Sequence, residues 1–283
     1  MLSAMAKQLT RATANPHLAQ MFDWRSLAVL RRNTRVFLHN WKTAFLPPAL
    51  EPVVQMLAFG IGLGAYVGAM QWHGSKVDYP SYMAPGILAQ TCFYTSFFEG
   101  LYSAYVRMFY QKTWDGILAT QVELHHIVWG EVLWASLRGF MNGVVVAVVI
   151  GVLHLLGVVH VHWGWLPLLP FVGIASGWAF GAFALIFTAL VPSIDHMNYP
   201  VFLVGLPLGL VSNTFFPLQP SNPLLSAIAQ CNPIYQLAET FRALLLAGAP
   251  DMHLLWLALS SLVMLVVCSA FAHKFVARRM LGE

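Results

Sequence analysis

Residues 107–131 read RMFYQKTWDGILATQVELHHIVWGE, and the apolar stretches on either side of this polar segment decide the fold. Residues 82–106 precede it and residues 127–157 follow it, and each is long enough to cross a bilayer core, which takes about 20 apolar helical residues. The segment is therefore the short connection of a helical hairpin. It is amphipathic and interrupted at Asp115–Gly116. Thr113 or Asp115 is expected to cap a short helix over 113–120, with Ile117 and Leu118 as apolar contacts and Trp114 as a large anchor. An apolar-faced helix of this kind suits a groove in a soluble partner.

Working outward, the same length criterion predicts further spans at 46–70, 165–190, 198–218 and 252–273, six in all. Pro200 and Pro207 lie inside the fifth, where neighbours must satisfy the freed carbonyls. Composition agrees: 58% of the 283 residues are hydrophobic and 9% charged, against roughly 25% charged in soluble domains. Too few charges remain to wet a soluble globule. Cys92, Cys231 and Cys268 have no CxxC spacing and point to neither a disulfide framework nor a metal site.

Lysine and arginine placement sets the orientation. With the N-terminus inside, the cytoplasmic segments hold Lys7, Arg11, Arg25, Arg31, Arg32, Arg35, Lys42, Arg107, Lys112, Lys274, Arg278 and Arg279, and the outer segments only Lys76 and Arg242. Both termini are expected in the cytoplasm. Residues 1–21 read as a cytoplasmic tail rather than a cleavable signal, since residues 1–20 carry Lys7 and Arg11 and no long apolar core.

Two further segments are expected to be helical without crossing. Residues 22–43 form a basic amphipathic interface helix, with Leu27, Leu30, Thr34, Phe37 and Trp41 on one face and Arg25, Arg32, Arg35, His39 and Lys42 on the other; Arg31 adds to its charge. It either anchors the topology on anionic lipids or docks against a cytoplasmic partner. Residues 221–248, divided by Pro223 and Pro233, read as two short re-entrant helices on the outer side, near 223–231 and 234–247. The fold class is thus an all-α polytopic membrane protein, with a transmembrane domain over 44–283.

Charges within spans are expensive and point to a function or a pair. Glu99, Glu131 and Arg138 are such charges, and Glu99 and Arg138 reach comparable depth across the hairpin, so they are expected to pair. The pair either fixes the hairpin or lies on a transport path. Glycines recur every fourth residue at Gly60, Gly64 and Gly68 and at Gly173, Gly177 and Gly181, a spacing that serves packing within a bundle or a dimer contact. His154, His160 and His162 flank an outer loop without acidic or thiol partners, and no metal site is expected there. His125 and His126 are expected in a solvated position beside the cytoplasmic turn. No HExxH, GxSxG, GxGxxG or Walker A motif occurs, and no Gly is followed by Lys, so the chain is not expected to be an enzyme or to bind ATP.

The stretch FEGLYSAYVRMFYQKTWDGILAT (98–120), followed by VWGEVLWASLRGF (128–140), SNTFFPL (212–218) and NPIYQLAETFR (232–242), resembles ABC-2 type exporter permeases, particularly the NodJ group of nodulation-factor exporters. The resemblance runs from Phe22 to Leu246. It implies a permease in a bacterial inner membrane that dimerises with a second copy of itself and engages two copies of a separate ABC ATP-binding subunit, where ATP and Mg are held. It further implies that Lys112, Thr113, Trp114, Asp115, Gly116, Ile117, Leu118, Ala119 and Thr120 form the coupling helix. The cargo would be a lipo-oligosaccharide, polysaccharide, lipid or drug. Membrane lipids are expected partners and nucleic acid is not. Phe59, Tyr94, Phe97, Phe98 and Phe202 are candidates to line the route. Gln121 replaces a usual proline, and Thr214 a usual glycine, which bears on cargo and partner more than on fold. The alternative is a stand-alone proton- or ion-coupled transporter with Glu99, Glu131 and Arg138 as a relay.

Overall fold

The computed structural model describes residues 18–217, 227 and 230–281. Residues 1–17 of the expected tail, and most of the first expected re-entrant piece, lie outside the described residues.

A 3₁₀ turn at Leu18–Phe22 leads into α1 (Trp24–His39), whose N-cap Asp23 accepts the Arg25 N–H. Helix α2 (Trp41–Gln55) continues through a π segment at Met56–Leu63 and ends at Gly64–Val67. Helix α3 (Tyr79–Phe98) continues through π segments at Glu99–Ser103 and Val106–Tyr110. The short α4 (Thr113–Leu118) precedes α5 (Leu124–Leu155) and α6 (Leu169–Leu190). Pro200 and Pro207 lie in a broken stretch, with helical turns at Asn198–Pro200 and Leu206–Leu210 around a π segment at Val201–Gly205. Helices α7 (Pro233–Arg242) and α8 (Met252–Leu281) complete the bundle.

Among the described residues, four helical segments are long and apolar enough to cross a membrane: Leu50–Val67, Leu124–Leu155, Trp163–Leu190 and Met252–Met280. The expected spans at 82–106 and 198–218 are of another kind. Helix α3 carries Gln90, Thr91, Thr95 and Ser96, yet most of it is buried against α5, α6 and α7. A helix sheathed by protein need not be apolar all round: here the Thr91 hydroxyl donates to the Ile87 carbonyl and the Thr95 hydroxyl accepts from Asn142. The stretch at 198–210 is divided by its prolines, each of which removes a backbone donor.

One feature departs from the all-α expectation. Ala69–Trp72 (β1) pairs antiparallel with Ser75–Asp78 (β2) around a two-residue turn at His73–Gly74. Both turn residues have positive φ, +47° and +80°, which matches the twist of a tight hairpin.

Most glycines of the two rows pack inside the bundle, whereas Gly68 faces open space. A Cβ on Gly177 would stand 2.9 Å from Ser136 Cβ, and one on Gly181 2.9 Å from Ala135 Cβ, so α6 lies directly on α5. Gly60 and Gly64 face Met83, Pro80 and Tyr79 of the following helix and its start. Small residues permit this close approach where lipid supplies no hydrophobic drive between helices.

Candidate functional site

The helix expected on the cytoplasmic side, α4, is shorter than expected and starts differently. Neither Thr113 nor Asp115 caps it; Lys112 holds the N-cap position in the left-handed region, at φ +52°, and gives no side-chain cap bond. Thr113 is engaged elsewhere, with its hydroxyl accepting from Arg32 Nη2 at 3.4 Å. Trp114 is fully buried and turns inward, while Lys112, Asp115, Gly116, Ala119 and Thr120 are exposed. Ile117 and Leu118 pack partly against the Trp114 cluster. The anchor residue thus holds the helix to its own chain, and the opposite face is left for contact.

The Trp114 indole leads into a buried charge network. Its Nε1–H donates to Glu131 Oε1 at 3.2 Å. Glu131 is also bonded by Arg107 through Nε at 3.0 Å and Nη2 at 2.5 Å, a two-pronged contact. The same guanidinium reaches Glu99 Oε1 through Nη1 at 2.8 Å. Glu99 accepts Trp134 Nε1–H at 2.7 Å, and its other oxygen lies 3.4 Å from Arg138 Nε. Two carboxylates therefore face two guanidiniums, so each buried charge has an opposite charge beside it where a lone ion would cost several kcal/mol.

Helix α1 closes the network from the side. Asn33 Nδ2 donates to Glu131 Oε1 at 3.3 Å, and the Arg138 guanidinium lies 4.5 Å from the Phe37 ring centroid. Ser26, Val29, Asn33 and Phe37 form the buried stripe of α1, and the opposite face mixes exposed apolar Trp24, Leu27 and Leu38 with exposed basic Arg31 and Arg35. Arg25 and Arg32 turn partly inward, Arg25 to within 4.0 Å of Glu123. Burial, then the Arg107 charge, lower the Arg32 guanidinium from its ordinary value while Glu131 opposes them; arginine stays protonated regardless. Gly130 makes the docking possible, since a Cβ there would collide with Val29 and approach Ser26 O at 3.0 Å.

His125 and His126 are buried rather than solvated. Their Nε2 atoms are 3.2 Å apart, and His126 Nδ1 accepts the Glu123 N–H in a capping box that turns both rings into the first turn of α5. Of the histidines expected in the outer loop, His154 Nδ1 bonds the Val159 carbonyl at 3.0 Å, and His160 is exposed beside Asp78.

At its other end the network opens on a cavity of about 540 Å³ between α2, α3, α5 and the broken stretch. Glu99 and Arg138 form part of its wall. Tyr94, Phe98, Tyr102, Leu206 and Phe215 supply apolar surface, and Gln55, Gln90, Thr91 and Thr95 supply amides and hydroxyls. A second cavity of about 430 Å³ lies towards α1 and shares Glu99, Tyr102, Ser103 and Arg138. The charge pair stands between the two.

The five aromatic candidates separate. Tyr94 and Phe98 stack at 5.6 Å and line the larger cavity. Phe59 packs on the lining residue Phe215 at 5.5 Å. Phe97 is fully buried against Phe93 and Phe183 and does not line it. Phe202 is 61% exposed on the broken stretch and lies outside the lining.

Three members of the network, Arg107, Asn33 and Trp134, were not among the sequence candidates. Eight residues of straight α-helix leave Glu99 and Arg107 about 80° apart around the axis. The two π segments between Glu99 and Tyr110 take more residues per turn and bring them together.

At the other end of the bundle a second buried pair fixes α7. Arg242 Nη1 bonds Glu239 Oε1 at 2.5 Å, its Nε bonds the Tyr82 carbonyl at 3.0 Å, and Nη2 reaches the carbonyls of Asn213 and Thr214. Gly86 leaves the room, since a Cβ there would stand 2.9 Å from Arg242 Nη2 and from the Thr214 backbone.

Residues 26–246 match the family model described as ABC-2 type transporter. The chain is 31% identical over 231 residues to a Rhizobium meliloti (strain 1021) protein named Nodulation protein J, covering 81% of this chain and 84% of that protein. The protein of the same name from Rhizobium leguminosarum bv. viciae is 32% identical over 229 residues, covering 79% and 83%. The Escherichia coli (strain K12) protein named Inner membrane transport permease YadH is 23% identical over 218 residues, covering 73% and 77%.

Proposed function

We propose, from the premise that the chain belongs to the ABC-2 type transporter family, that it is the membrane subunit of an ATP-driven exporter of an amphipathic substrate. Two copies would form the pathway and two copies of a separate ABC ATPase would drive it. The six-span reading, with the 82–110 helix as a protein-sheathed span and 198–218 as a broken one, puts α4 on the cytoplasmic side and α7 on the outer side. Both termini then lie in the cytoplasm of a bacterial cell, and the chain sits in its inner membrane. The nodulation relatives lead us to place the cargo among acylated oligosaccharides, and the mixed aromatic and amide lining of the larger cavity suits a molecule with apolar and hydroxyl-rich parts.

The observation that carries the reading is the continuity from Trp114 to Arg138. One end of the network holds the helix available to a partner, and the other forms the wall of the cavity. A push on α4 would be transmitted through Glu131 and Arg107 to Glu99 and Arg138 without crossing a soft region, because buried paired charges tolerate little displacement.

The test is reconstitution. The chain alone in lipid is expected to hydrolyse no ATP, and the chain with its ABC ATPase to hydrolyse ATP and move a fluorescent acylated oligosaccharide. Movement driven by a proton or sodium gradient in the absence of any ATPase would instead establish the stand-alone transporter.

A further inference from the structure

Three ligating side chains from distant parts of the sequence converge beside the outer end of the bundle. One donor atom from each of His73, Glu239 and His253 lies within 4.8 Å of the others. His73 sits at the exposed tip of the β1–β2 hairpin, Glu239 is buried in α7, and His253 is half-buried at the start of α8. We propose that these three residues bind a divalent transition-metal ion of the zinc type and so clasp the hairpin, α7 and α8 together.

The surrounding bonds leave the right atoms for this. His253 Nδ1 stands 2.7 Å from Gln236 Oε1, and the amide oxygen can only accept, so Nδ1 carries the proton and Nε2 keeps its lone pair. A metal-bound histidine is held in that way, with its second nitrogen donating to an oxygen. Glu239 Oε1 is committed to Arg242 Nη1 and Asn213 Nδ2, at 2.5 and 2.6 Å. Its Oε2 accepts the Trp72 indole N–H at 3.0 Å and has a second lone pair. That same Trp72 positions the third ligand, because the His73 ring stacks on it at 4.4 Å and 8°. The indole thus brings His73 and Glu239 together.

Two imidazoles and one carboxylate select a transition metal over magnesium or calcium, which prefer oxygen ligands. Metal–nitrogen distances of about 2.0–2.1 Å require the donors to draw closer than 4.8 Å. His73 is free to make that move, being exposed in a two-residue turn. Arg242 remains paired through Oε1, and its charge holds the affinity below that of a closed four-ligand site.

The experiment is zinc titration of the full chain in detergent, read as bound metal per chain after dialysis and as the shift in melting temperature. The expected result is one zinc per chain with a rise in melting temperature, weakened about 10-fold or more in His73→Ala and in His253→Ala. His160→Ala, which removes another exposed outer histidine, is expected to bind as the parent does. His73 lies at an exposed tip, so its replacement tests the site without threatening the core. Absence of zinc binding by the parent chain, or binding by His73→Ala and His253→Ala equal to the parent, would overturn the proposal.

Discussion

The indole N–H of Trp114 donates to Glu131 across 3.2 Å, tying the short helix α4 to the long helix α5. Glu131 is 1% exposed and shares its oxygens with Arg107 and Asn33, so α4 is anchored on a charge that is itself held in place. The exposed face of α4 is small and polar, and its stability comes from the side that cannot be seen.

This division separates two kinds of α4 variant. Trp114→Ala removes a fully buried aromatic side chain and is expected to cost about 3–5 kcal/mol. Asp115→Ala changes an exposed residue and is expected to leave stability within about 0.5 kcal/mol. Thermal unfolding in detergent reads both. In the complex, Asp115→Ala is expected to lower the ATPase turnover that the permease supports despite its intact fold. Unaltered turnover would show that this face does not engage the ATPase.

Arg107 is expected to be the most sensitive charge in the network. Its loss leaves Glu131 without a cation and Glu99 with Arg138 alone, and Arg107→Ala is expected to destabilise by about 3–5 kcal/mol. Arg138→Ala leaves Glu99 paired with Arg107 and is expected to cost less. Double-mutant cycles then resolve the pair: Glu99→Ala and Arg138→Ala should couple by about 0.5–3 kcal/mol. Additive effects would mean that the two side chains act independently.

Close approach of α1 to α5 rests on Gly130. Gly130→Val places atoms where Val29 and Ser26 already stand and is expected to detach α1, at a cost of about 1–3 kcal/mol. Limited proteolysis near residue 40 would report the release, through faster cleavage than in the parent. Equal cleavage would show that α1 docks without this contact.

Arg242→Lys tests the Arg242–Glu239 pair. Lysine keeps the charge but has no planar fork, and it cannot serve Glu239 together with the carbonyls of Tyr82, Asn213 and Thr214. A loss of about 1–3 kcal/mol is expected, with faster hydrogen exchange in α7. Exchange matching the parent would show that charge alone fixes this helix.

Much of this was legible in the sequence because it is local. Apolar length placed the four long helices, and the cost of intramembrane charge singled out Glu99, Glu131 and Arg138. Three features escaped for physical reasons. The buried stripe of α1 contains Ser26 and Asn33, which an apolar pattern passes over, so that of the expected apolar face only Phe37 is buried. Arg107 is aligned with Glu99 by π segments, which a 3.6-residue period does not anticipate. Glu239 and Trp72 are bonded across 167 residues, a contact that no spacing rule reaches. The resemblance to exporter permeases supplied what residue patterns did not, namely the family, from which export and an ATPase partner follow as expectations.

The Trp114-to-Arg138 network is proposed to carry force from α4 to the cavity. Its most direct test is the number of fluorescent acylated oligosaccharides exported per ATP hydrolysed, in liposomes holding the permease and its ABC ATPase. Glu131→Gln keeps the shape and removes the charge that joins Trp114 to Arg107, and export per ATP is expected to fall about 10-fold or more, the equivalent of about 1.4 kcal/mol of lost coupling. Export per ATP equal to that of the unaltered complex would contradict the account.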